Sequence, residues 1–325
     1  MKVLVTGANG FLGRSVVGAL MARGHQVRIM VRGRAKPQGH NDAVEAVCAD
    51  LLEPSSLADA VTGVDAVIHL AFDMRAAPAV MLRTAVDGTV NLIRAMRPEC
   101  SHLVLASSFS VYDWSQVGDR LTENSPRLTQ ALAPTLGPYA QAKWQQEASA
   151  ISLCEQHRIS LTVLRPAMIW GPEHPGMDMV GPGHRRLRLV VKPQRRLHLT
   201  YVENCADAFA LALDKRAPFA VFNVEDGFKV SATQFAAALQ PGAQQCALPE
   251  WTLKFLALVG PLARWCLNRG MKVPGLLIPE RWAARFPEAG IDASAARHDL
   301  GWSPCHPLDA AILRTVEQVR FSQPN

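Results

Sequence analysis

The chain begins Met1-Lys-Val-Leu-Val-Thr-Gly-Ala-Asn-Gly-Phe-Leu-Gly13, an apolar run that gives way to glycines at positions 7, 10 and 13. This order predicts a buried strand, a tight turn and the start of a helix. Gly7 permits the turn, Gly10 lets the backbone approach a phosphate, and Gly13 lets the helix pack against the strand. The first N–H groups of such a helix have no partner and attract an anion. The stretch therefore predicts a site for the pyrophosphate of a dinucleotide.

The helix that follows is predicted over residues 11–23, where apolar residues recur at helical spacing. Phe11 and Leu12, in its first turn, are candidate cofactor contacts together with the three glycines. The alternative is a structural strand–turn–helix that binds no ligand.

The composition is that of an ordinary globular chain. Of its 325 residues, 49% are hydrophobic and 19% are charged. This length predicts one large domain or two interlocked domains with a sizeable core. Because the chain runs straight into a strand, we expect no secretory leader and a cytoplasmic protein. The apolar stretch 251–264 is too short between charges to span a bilayer, and predicts a half-buried helix, a pocket wall, an interfacial contact or cover for an apolar substrate.

Seven cysteines are scattered along the chain, at positions 48, 100, 154, 205, 246, 266 and 305. Their spacing is neither that of zinc ligands nor that of a disulfide-rich scaffold. We expect reduced, mostly buried thiols and no metal site.

Apolar strands alternate with helical segments along the first half of the chain. Strands are predicted at 26–31, 44–48, 65–70, 102–106 and 160–164, and helices near 55–61, 80–97 and 139–157. This alternation predicts an α/β fold with a Rossmann-type, doubly wound parallel sheet. After about residue 166 the pattern becomes irregular. We therefore predict a dinucleotide-binding domain (1–165 with about 201–225) and a smaller, irregular C-terminal substrate-binding part (166–200 and 226–325).

The residues after the second and third strands bear on which dinucleotide binds. Strand 26–31 ends at Arg32-Gly-Arg34 rather than at an acidic residue. This end faces the adenosine ribose, where an acidic residue suits a 2′-hydroxyl and a guanidinium suits a 2′-phosphate. Arg32 therefore favours NADP(H) over NAD(H), the alternative being a solvated arginine. Asp50 and Leu51 close the third strand, and Asp50 is either a contact to the adenine amino group or an ordinary turn aspartate.

A tyrosine and a lysine four residues apart open the predicted helix 139–157, in Tyr139-Ala-Gln-Ala-Lys143. At this spacing both side chains lie on one helix face, about 6 Å apart at Cβ. The pKa of free tyrosine is about 10, and a nearby ammonium group favours the phenolate and lowers that pKa. The preceding strand ends in Ser107-Ser108, at the sheet edge where such folds bind ligands. Together these residues predict acid–base chemistry, with Lys143 also holding the nicotinamide ribose.

Motifs along essentially the whole chain fall in the order seen in the extended short-chain dehydrogenases/reductases, the NAD-dependent epimerase/dehydratase superfamily, which the chain therefore resembles. The resemblance is carried, in chain order, by Thr6-Gly-Ala-Asn-Gly-Phe-Leu-Gly13, His69-Leu-Ala71, Ser107-Ser-Phe-Ser-Val-Tyr112, Pro138-Tyr-Ala-Gln-Ala-Lys143, Leu164-Arg-Pro166, Gly171-Pro172, Tyr201-Val-Glu-Asn-Cys-Ala-Asp207, Phe222-Asn-Val224 and Leu300-Gly-Trp302.

The resemblance implies roles for particular residues. It implies that Tyr139 is the acid/base, that Lys143 is its partner and that Ser108 binds the substrate hydroxyl. It also implies that Ala71 lines the cofactor cleft and that Pro166 lies near the nicotinamide carboxamide. The family further suggests a homodimer.

Two positions depart from the pattern of particular branches of that family. Dehydratases usually carry acidic residues after the hydroxyl residue, whereas a phenylalanine and a serine follow Ser108; we therefore expect no dehydration. Nucleotide-sugar epimerases commonly have asparagine three residues after the arginine of Arg165-Pro166, where this chain has Met168. Met168 and Trp170 would form an apolar wall suited to a ring or acyl chain; the alternative is that both are ordinary core residues.

Six basic residues and no acidic ones lie between Gly181 and Val202: Arg185, Arg186, Arg188, Lys192, Arg195 and Arg196. Their sum equals the formal net charge of +6. The run is either a solvated basic face or a site for an anionic substrate group, such as a carboxylate, a phosphate or a coenzyme A moiety. One short cluster without interleaved aromatic residues argues against nucleic acid as a partner.

These observations predict an NAD(P)-dependent oxidoreductase nearest to the 3β-hydroxysteroid dehydrogenase and dihydroflavonol reductase branch. Hydride passes between NADP(H) and a ketone or secondary alcohol of a largely apolar small molecule, with an anionic group left open. Two alternatives remain: a nucleotide-sugar epimerase with tightly bound NAD, and a non-catalytic NADP(H)-binding regulatory protein.

Overall fold

The structure is a computed structural model that describes residues 1–33, 43–96, 99–184, 187–248, 251, 252, 255, 258 and 282–321. Strands in these residues are β1 (Lys2–Thr6), β2 (Gln26–Val31), β3 (Glu45–Cys48), β4 (Ala66–His69), β5 (His102–Ala106), β6 (Arg120–Leu121), β7 (Ser160–Pro166), β8 (Met168–Trp170), β9 (Gly183–His184), β10 (Leu187–Val191), β11 (Leu199–Tyr201), β12 (Phe219–Val224), β13 (Gln244–Leu248) and β14 (Gly290–Ile291). Helices are α1 (Phe11–Ala22), α2 (Pro54–Val61), α3 (Pro78–Ala95), α4 (Pro138–His157), α5 (Val202–Asp214), α6 (Ala232–Leu239), α7 (Trp282–Arg285), α8 (Ser294–Asp299) and α9 (Leu308–Phe321).

Seven parallel strands form the central sheet, in the spatial order β3-β2-β1-β4-β5-β7-β12. Val3 of β1 is paired with Val27 on one side and with Ala66 on the other. The chain adds strands outward from β1 as far as β3 and then returns to the other side with β4. This reversal leaves a crevice at the carboxyl ends of β1 and β4, where doubly wound sheets bind ligands. The predicted Rossmann-type fold is confirmed.

Local sequence explains the first strand and helix. The three central residues of β1 are apolar on both faces because helices cover both sides of the sheet. In α1, Gly13, Val16, Val17 and Leu20 are buried, one stripe of an amphipathic helix. The helix ends at Ala22, and Gly24, just past its C-cap, has a φ of +79° that only glycine adopts without strain.

Two apolar cores lie on opposite faces of the sheet. Because side chains alternate along a strand, Val3 and Val5 belong to the core beneath α1 and α5, whereas Leu4 belongs to the core beneath α2, α3 and α4. A third core surrounds Trp170, between the short parallel pair β8–β11 and α6.

Residues near the C-terminus complete the first of these cores. Ala293, Ala296, Leu300 and Trp302 are buried there, and Trp302 Nε1 donates to Asn204 O at 2.9 Å. Part of the stretch 226–325, predicted to belong to the substrate-binding part, therefore packs inside the predicted dinucleotide-binding domain. The predicted division of the chain into two domains stays a prediction.

Six cysteines fall within the described residues, and all are free thiols; three are buried (Cys100, Cys154, Cys205) and three are exposed (Cys48, Cys246, Cys305). The expectation of mostly buried thiols is thus met by only half of them, and Cys266 lies outside the described residues. In the described ranges, no three His, Cys, Asp or Glu side chains are grouped so as to hold a metal ion. No helix in those ranges has the length and apolar character needed to cross a membrane. Most of the apolar stretch 251–264 lies outside them.

Candidate active site

The glycine turn after β1 has no room for a side chain at Gly7 or at Gly13. Gly7 has a φ of +72°, and a Cβ there would lie 2.7 Å from Ala71 N. A Cβ on Gly13 would lie 2.7 Å from Ala8 Cα and closer still to the Gly7 carbonyl oxygen. Gly10 is the N-cap of α1, which has neither a side-chain cap nor an acidic residue in its first turn. This cradle, open at the helix start, fits the pyrophosphate of a dinucleotide.

The first turn of α1 is also held by the segment that follows β8. The Phe11 ring lies edge-on to His174, with ring centroids 4.8 Å apart, and Arg14 is paired with Glu173. Leu12 packs against the first and third cores. The segment after β8 therefore rests on the helix start that borders the glycine turn.

Ser108 and Tyr139 meet at the carboxyl edge of the sheet. Ser108 follows β5 and is the N-cap of a 3₁₀ turn, where its Oγ accepts from Ser110 N at 3.2 Å. Tyr139 lies in the first turn of α4. Burial raises the pKa of Tyr139, and a hydrogen bond with Ser108 opposes this. The expected lowering of that pKa is not what the structure shows, because desolvation of the phenolate outweighs the groups that would stabilise it.

Lys143 lies one turn further along α4 and is 5% exposed. Its Nζ donates to Ala106 O at 2.8 Å and to Gln146 Oε1 at 3.0 Å. Burial lowers the pKa of Lys143 to about 7, although the nearby carboxylate of Glu147 acts to raise it.

Phe72 borders both members of the tyrosine–lysine pair, although sequence reasoning did not single it out. Its ring centroid lies 5.3 Å from that of Tyr139 and 4.4 Å from Lys143 Nζ. The signal that could have found it is its position directly after Ala71, beyond the carboxyl end of β4.

A buried ion pair, also missed, ties α4 to β7. Glu147 accepts from Arg165 Nε at 3.0 Å and Nη2 at 2.5 Å, and both residues are 3% exposed or less. Arg127 and Ser107 donate to the same carboxylate. Glu147 lies four residues after Lys143 and so continues the same helix face, which is the spacing that could have indicated it.

The remaining predicted cofactor contacts lie along the same sheet edge. Arg32 is exposed directly after β2, and Arg34 lies outside the described residues. Asp50 Oδ1 accepts from Leu52 N at 2.9 Å, the bond of a turn aspartate, while Leu51 is buried in the second core. Ala71 N donates to Thr6 Oγ1 at 3.2 Å.

Comparison with known proteins identifies the family. The model of the NAD dependent epimerase/dehydratase family matches residues 3–224, which include the glycine turn, Ser108, Tyr139 and Lys143. The chain belongs to the NAD-dependent epimerase/dehydratase family. Members of this family bind a nicotinamide cofactor.

Two relatives and one solved structure show which proteins of this family the chain resembles. A 2-alkyl-3-oxoalkanoate reductase of Stenotrophomonas maltophilia (strain K279a) is 31% identical over 234 residues, which cover 67% of each chain. A 3β-hydroxysteroid dehydrogenase/Δ5→4-isomerase of Mycobacterium tuberculosis is 26% identical over 342 residues, 96% of this chain and 88% of that one. The structure of MoeE5 in complex with UDP-glucose and NAD has a TM-score of 0.71 at 22% identity and covers 99% of both chains, which shows a shared fold. The protein is an NAD(P)-dependent oxidoreductase of the extended short-chain type.

The residues predicted to line the nicotinamide and the substrate differ in their exposure. Pro166, a predicted cofactor contact, ends β7 and is buried. Of the predicted substrate residues, Met168 is half-buried at the start of β8. Trp170 is fully buried, with its ring centroid 5.0 Å from Phe235 and 5.3 Å from Tyr201. Trp170 is therefore a core residue and not part of an apolar wall, because its ring packs against those of Tyr201 and Phe235 and is not exposed.

The described members of the basic run are bound within the protein. Lys192 pairs with Glu288, and Arg196 pairs with Glu225. Arg188 and Arg195 are buried and donate to the carbonyl oxygens of Gly181 and Met179, respectively. The alternative that the run is a solvated basic face is therefore wrong for Arg188 and Arg195, which are buried. Arg185 and Arg186 lie outside the described residues.

Proposed function

We propose that this protein interconverts a ketone and a secondary alcohol of a largely apolar small molecule, with NADP(H) preferred over NAD(H). The observation that carries the proposal is the contact of Ser108 with Tyr139, beside Lys143, at the edge of the sheet that also bears the glycine turn. When bound, the nicotinamide supplies or accepts the hydride.

The side chains account for the proton. A tyrosine with a raised pKa keeps its proton at neutral pH and can donate it to a carbonyl oxygen as the carbon takes the hydride. The Ser108 hydroxyl donates to the same oxygen and polarises the carbonyl group. The phenolate that remains is stabilised by the ammonium form of Lys143. Oxidation of an alcohol follows the reverse path.

An apolar substrate is supported by the surroundings and by the relatives. Phe72 lies against Tyr139, and half-buried Met168 lies two residues after Pro166. The two relatives are named for a 3-oxoalkanoate and a 3β-hydroxysteroid, each with a reacting oxygen on a hydrocarbon skeleton. Each described residue of the basic run has at least one partner within the protein, but Arg188 Nε and Arg195 Nε and Nη1 are buried without one, so an anionic group on the substrate stays open.

Replacement of Tyr139 by phenylalanine tests the reaction. Tyr139→Phe should lower kcat by about 10²- to 10⁴-fold, because the proton donor is lost, and leave the Kd for NADPH unchanged. Tyr201→Phe, which removes a phenol outside the site, should retain activity. The assay follows nicotinamide absorbance with a panel of ketones, hydroxy acids and sugar nucleotides. Turnover by Tyr139→Phe at the wild-type rate would contradict the assignment.

Replacement of Arg32 tests the choice of cofactor. Arg32→Glu should weaken NADP(H) binding by about 10- to 100-fold, since a charge-assisted bond to the 2′-phosphate becomes a repulsion, and should change NAD(H) binding little. Arg83→Glu makes the same charge change at an exposed position of α3 and should affect neither cofactor. Titration of both cofactors by fluorescence measures this. An equal loss of affinity for NADPH and NADH would show that Arg32 does not bind the 2′-phosphate.

A nucleotide-sugar epimerase is the alternative within the family, in keeping with the fold shared with MoeE5. Purified protein that carries NAD through dialysis and interconverts sugar nucleotides would favour this alternative over the reductase.

A further inference from the structure

Buried hydrogen bonds form a chain from Lys143 to the glycine turn. Gln146 Oε1 accepts from Lys143 Nζ at 3.0 Å, and Gln146 Nε2 donates to Thr89 Oγ1 at 3.0 Å. His69 Nε2 lies 2.9 Å from the same hydroxyl, and His69 Nδ1 lies 2.6 Å from Thr6 Oγ1. Apart from Lys143, all of these residues are 1% exposed or less. Their polar groups therefore depend on one another for partners.

The hydroxyl of Thr89 sets the direction of the bonds. It donates to Ala85 O at 2.6 Å, so its oxygen accepts from both Gln146 and His69. The proton of the His69 ring therefore lies on Nε2, and Nδ1 accepts from the hydroxyl of Thr6. Burial and the charge of Lys143 lower the pKa of His69 to about 3, so the ring stays neutral.

The two ends of the chain lie at functional positions. At one end, Thr6 Oγ1 accepts from Ala71 N, the atom closest to a Cβ built on Gly7. At the other end, two of the three ammonium protons of Lys143 go to Ala106 O and Gln146 Oε1, which leaves one to point elsewhere. Because each proton has a fixed acceptor and the hydroxyl of Thr89 ends on a backbone carbonyl, the chain holds positions and does not conduct protons.

We propose that Gln146 is a positioning residue for Lys143, whose amide aims the ammonium group and joins α4 to the glycine turn. The inference rests on the proposed function, since it gives Lys143 its orientation toward the cofactor ribose and Tyr139. The titratable groups that act on Lys143, or on which Lys143 acts, are Glu147 on α4 and His69 on β4. None of these groups accepts the hydrogen bond that Lys143 Nζ donates to Gln146 Oε1.

The experiment compares Gln146→Leu and Gln146→Glu with the wild-type protein and with Gln145→Leu. Gln145 is half-buried on the same turn of α4 and serves as the matched control. One readout is the pKa of Lys143, from NMR of ¹³C-labelled lysine in the protein alone. The other is the Kd for NADPH as a function of pH.

Opposite shifts are expected from the two substitutions. Gln146→Leu removes the acceptor and should lower the pKa of Lys143 by about one unit and weaken NADPH binding at neutral pH about 10-fold. Gln146→Glu places a carboxylate beside the ammonium group and should raise that pKa by about one unit or more, so that binding extends to higher pH. Gln145→Leu should change neither quantity.

A role in space-filling alone would lower the melting temperature without shifting the pKa in opposite directions, and that result would overturn the inference. Gln146→Glu is nearly isosteric, so it keeps the test decisive if Gln146→Leu does not fold. The NMR readout needs no substrate. Opposite shifts in a protein that reduces no ketone would support the inference and overturn the proposed function; reduction with unshifted pKa values would do the reverse.

Discussion

At Gly13 the difference between a hydrogen atom and a methyl group decides whether α1 can lie against β1. Gly13→Ala should lower the free energy of unfolding by about 1 to 3 kcal/mol and weaken cofactor binding, because the methyl group would collide with Ala8 and the Gly7 carbonyl. Urea unfolding and a cofactor titration measure the two effects.

Gly18 provides the control within the same helix. It is exposed, and a Cβ there would meet no atom within 4 Å. Gly18→Ala should therefore raise the free energy of unfolding by about 0.5 to 1 kcal/mol through helix propensity alone. Equal effects of the two substitutions would contradict the close packing at Gly13.

At the scale of elements, α4 and β7 depend on one buried carboxylate. Glu147→Gln should lower the free energy of unfolding by about 3 to 5 kcal/mol, because it leaves the buried Arg165 guanidinium without its counter-charge. Glu288, paired with Lys192 and 71% exposed, is the control; Glu288→Gln should cost less than about 1 kcal/mol. Chemical denaturation of both variants measures the difference. Similar decreases in the free energy of unfolding would mean that burial of the Glu147–Arg165 pair does not add to its contribution to stability.

The elements that the sequence predicts well are those with an unbroken local pattern. β2 and β5 have the predicted bounds, because each is an apolar run covered on both faces of the sheet. The helix predicted at 139–157 begins at Pro138, whose fixed φ suits the first helical position.

Contacts between distant parts of the chain lie beyond such patterns. Glu147 and Arg165 belong to different elements, and β14 pairs with β6 across about 170 residues, Gly290 opposite Arg120. An apolar residue type also does not reveal its neighbours, so Trp170 could be read equally as pocket wall or as core. Sequence motifs brought Ser108, Tyr139 and Lys143 together, but the direction of the Tyr139 pKa depends on burial that only the fold provides.

At the scale of the whole molecule, Trp302 joins the last part of the chain to the first core. Trp302→Ala should lower the free energy of unfolding by about 3 to 5 kcal/mol, because it opens a cavity between α5 and α8. Cofactor binding should be lost in the same thermal transition as the rest of the fold.

Trp251, which is 66% exposed, is the matched control, and Trp251→Ala should change stability by less than about 0.5 kcal/mol. Calorimetry with and without NADPH distinguishes the outcomes. A separate, earlier transition for the C-terminal residues would contradict a shared core.

The place of Trp302 has a consequence for biosynthesis. A ribosome completes β12 about 80 residues before it reaches Trp302, an interval of about 4 to 16 s at ordinary rates of translation. Throughout that interval the nascent sheet lacks the tryptophan that closes its first core. The apolar surface left open in the growing chain is the kind that chaperones cover, so the first core closes only after Trp302 has been added.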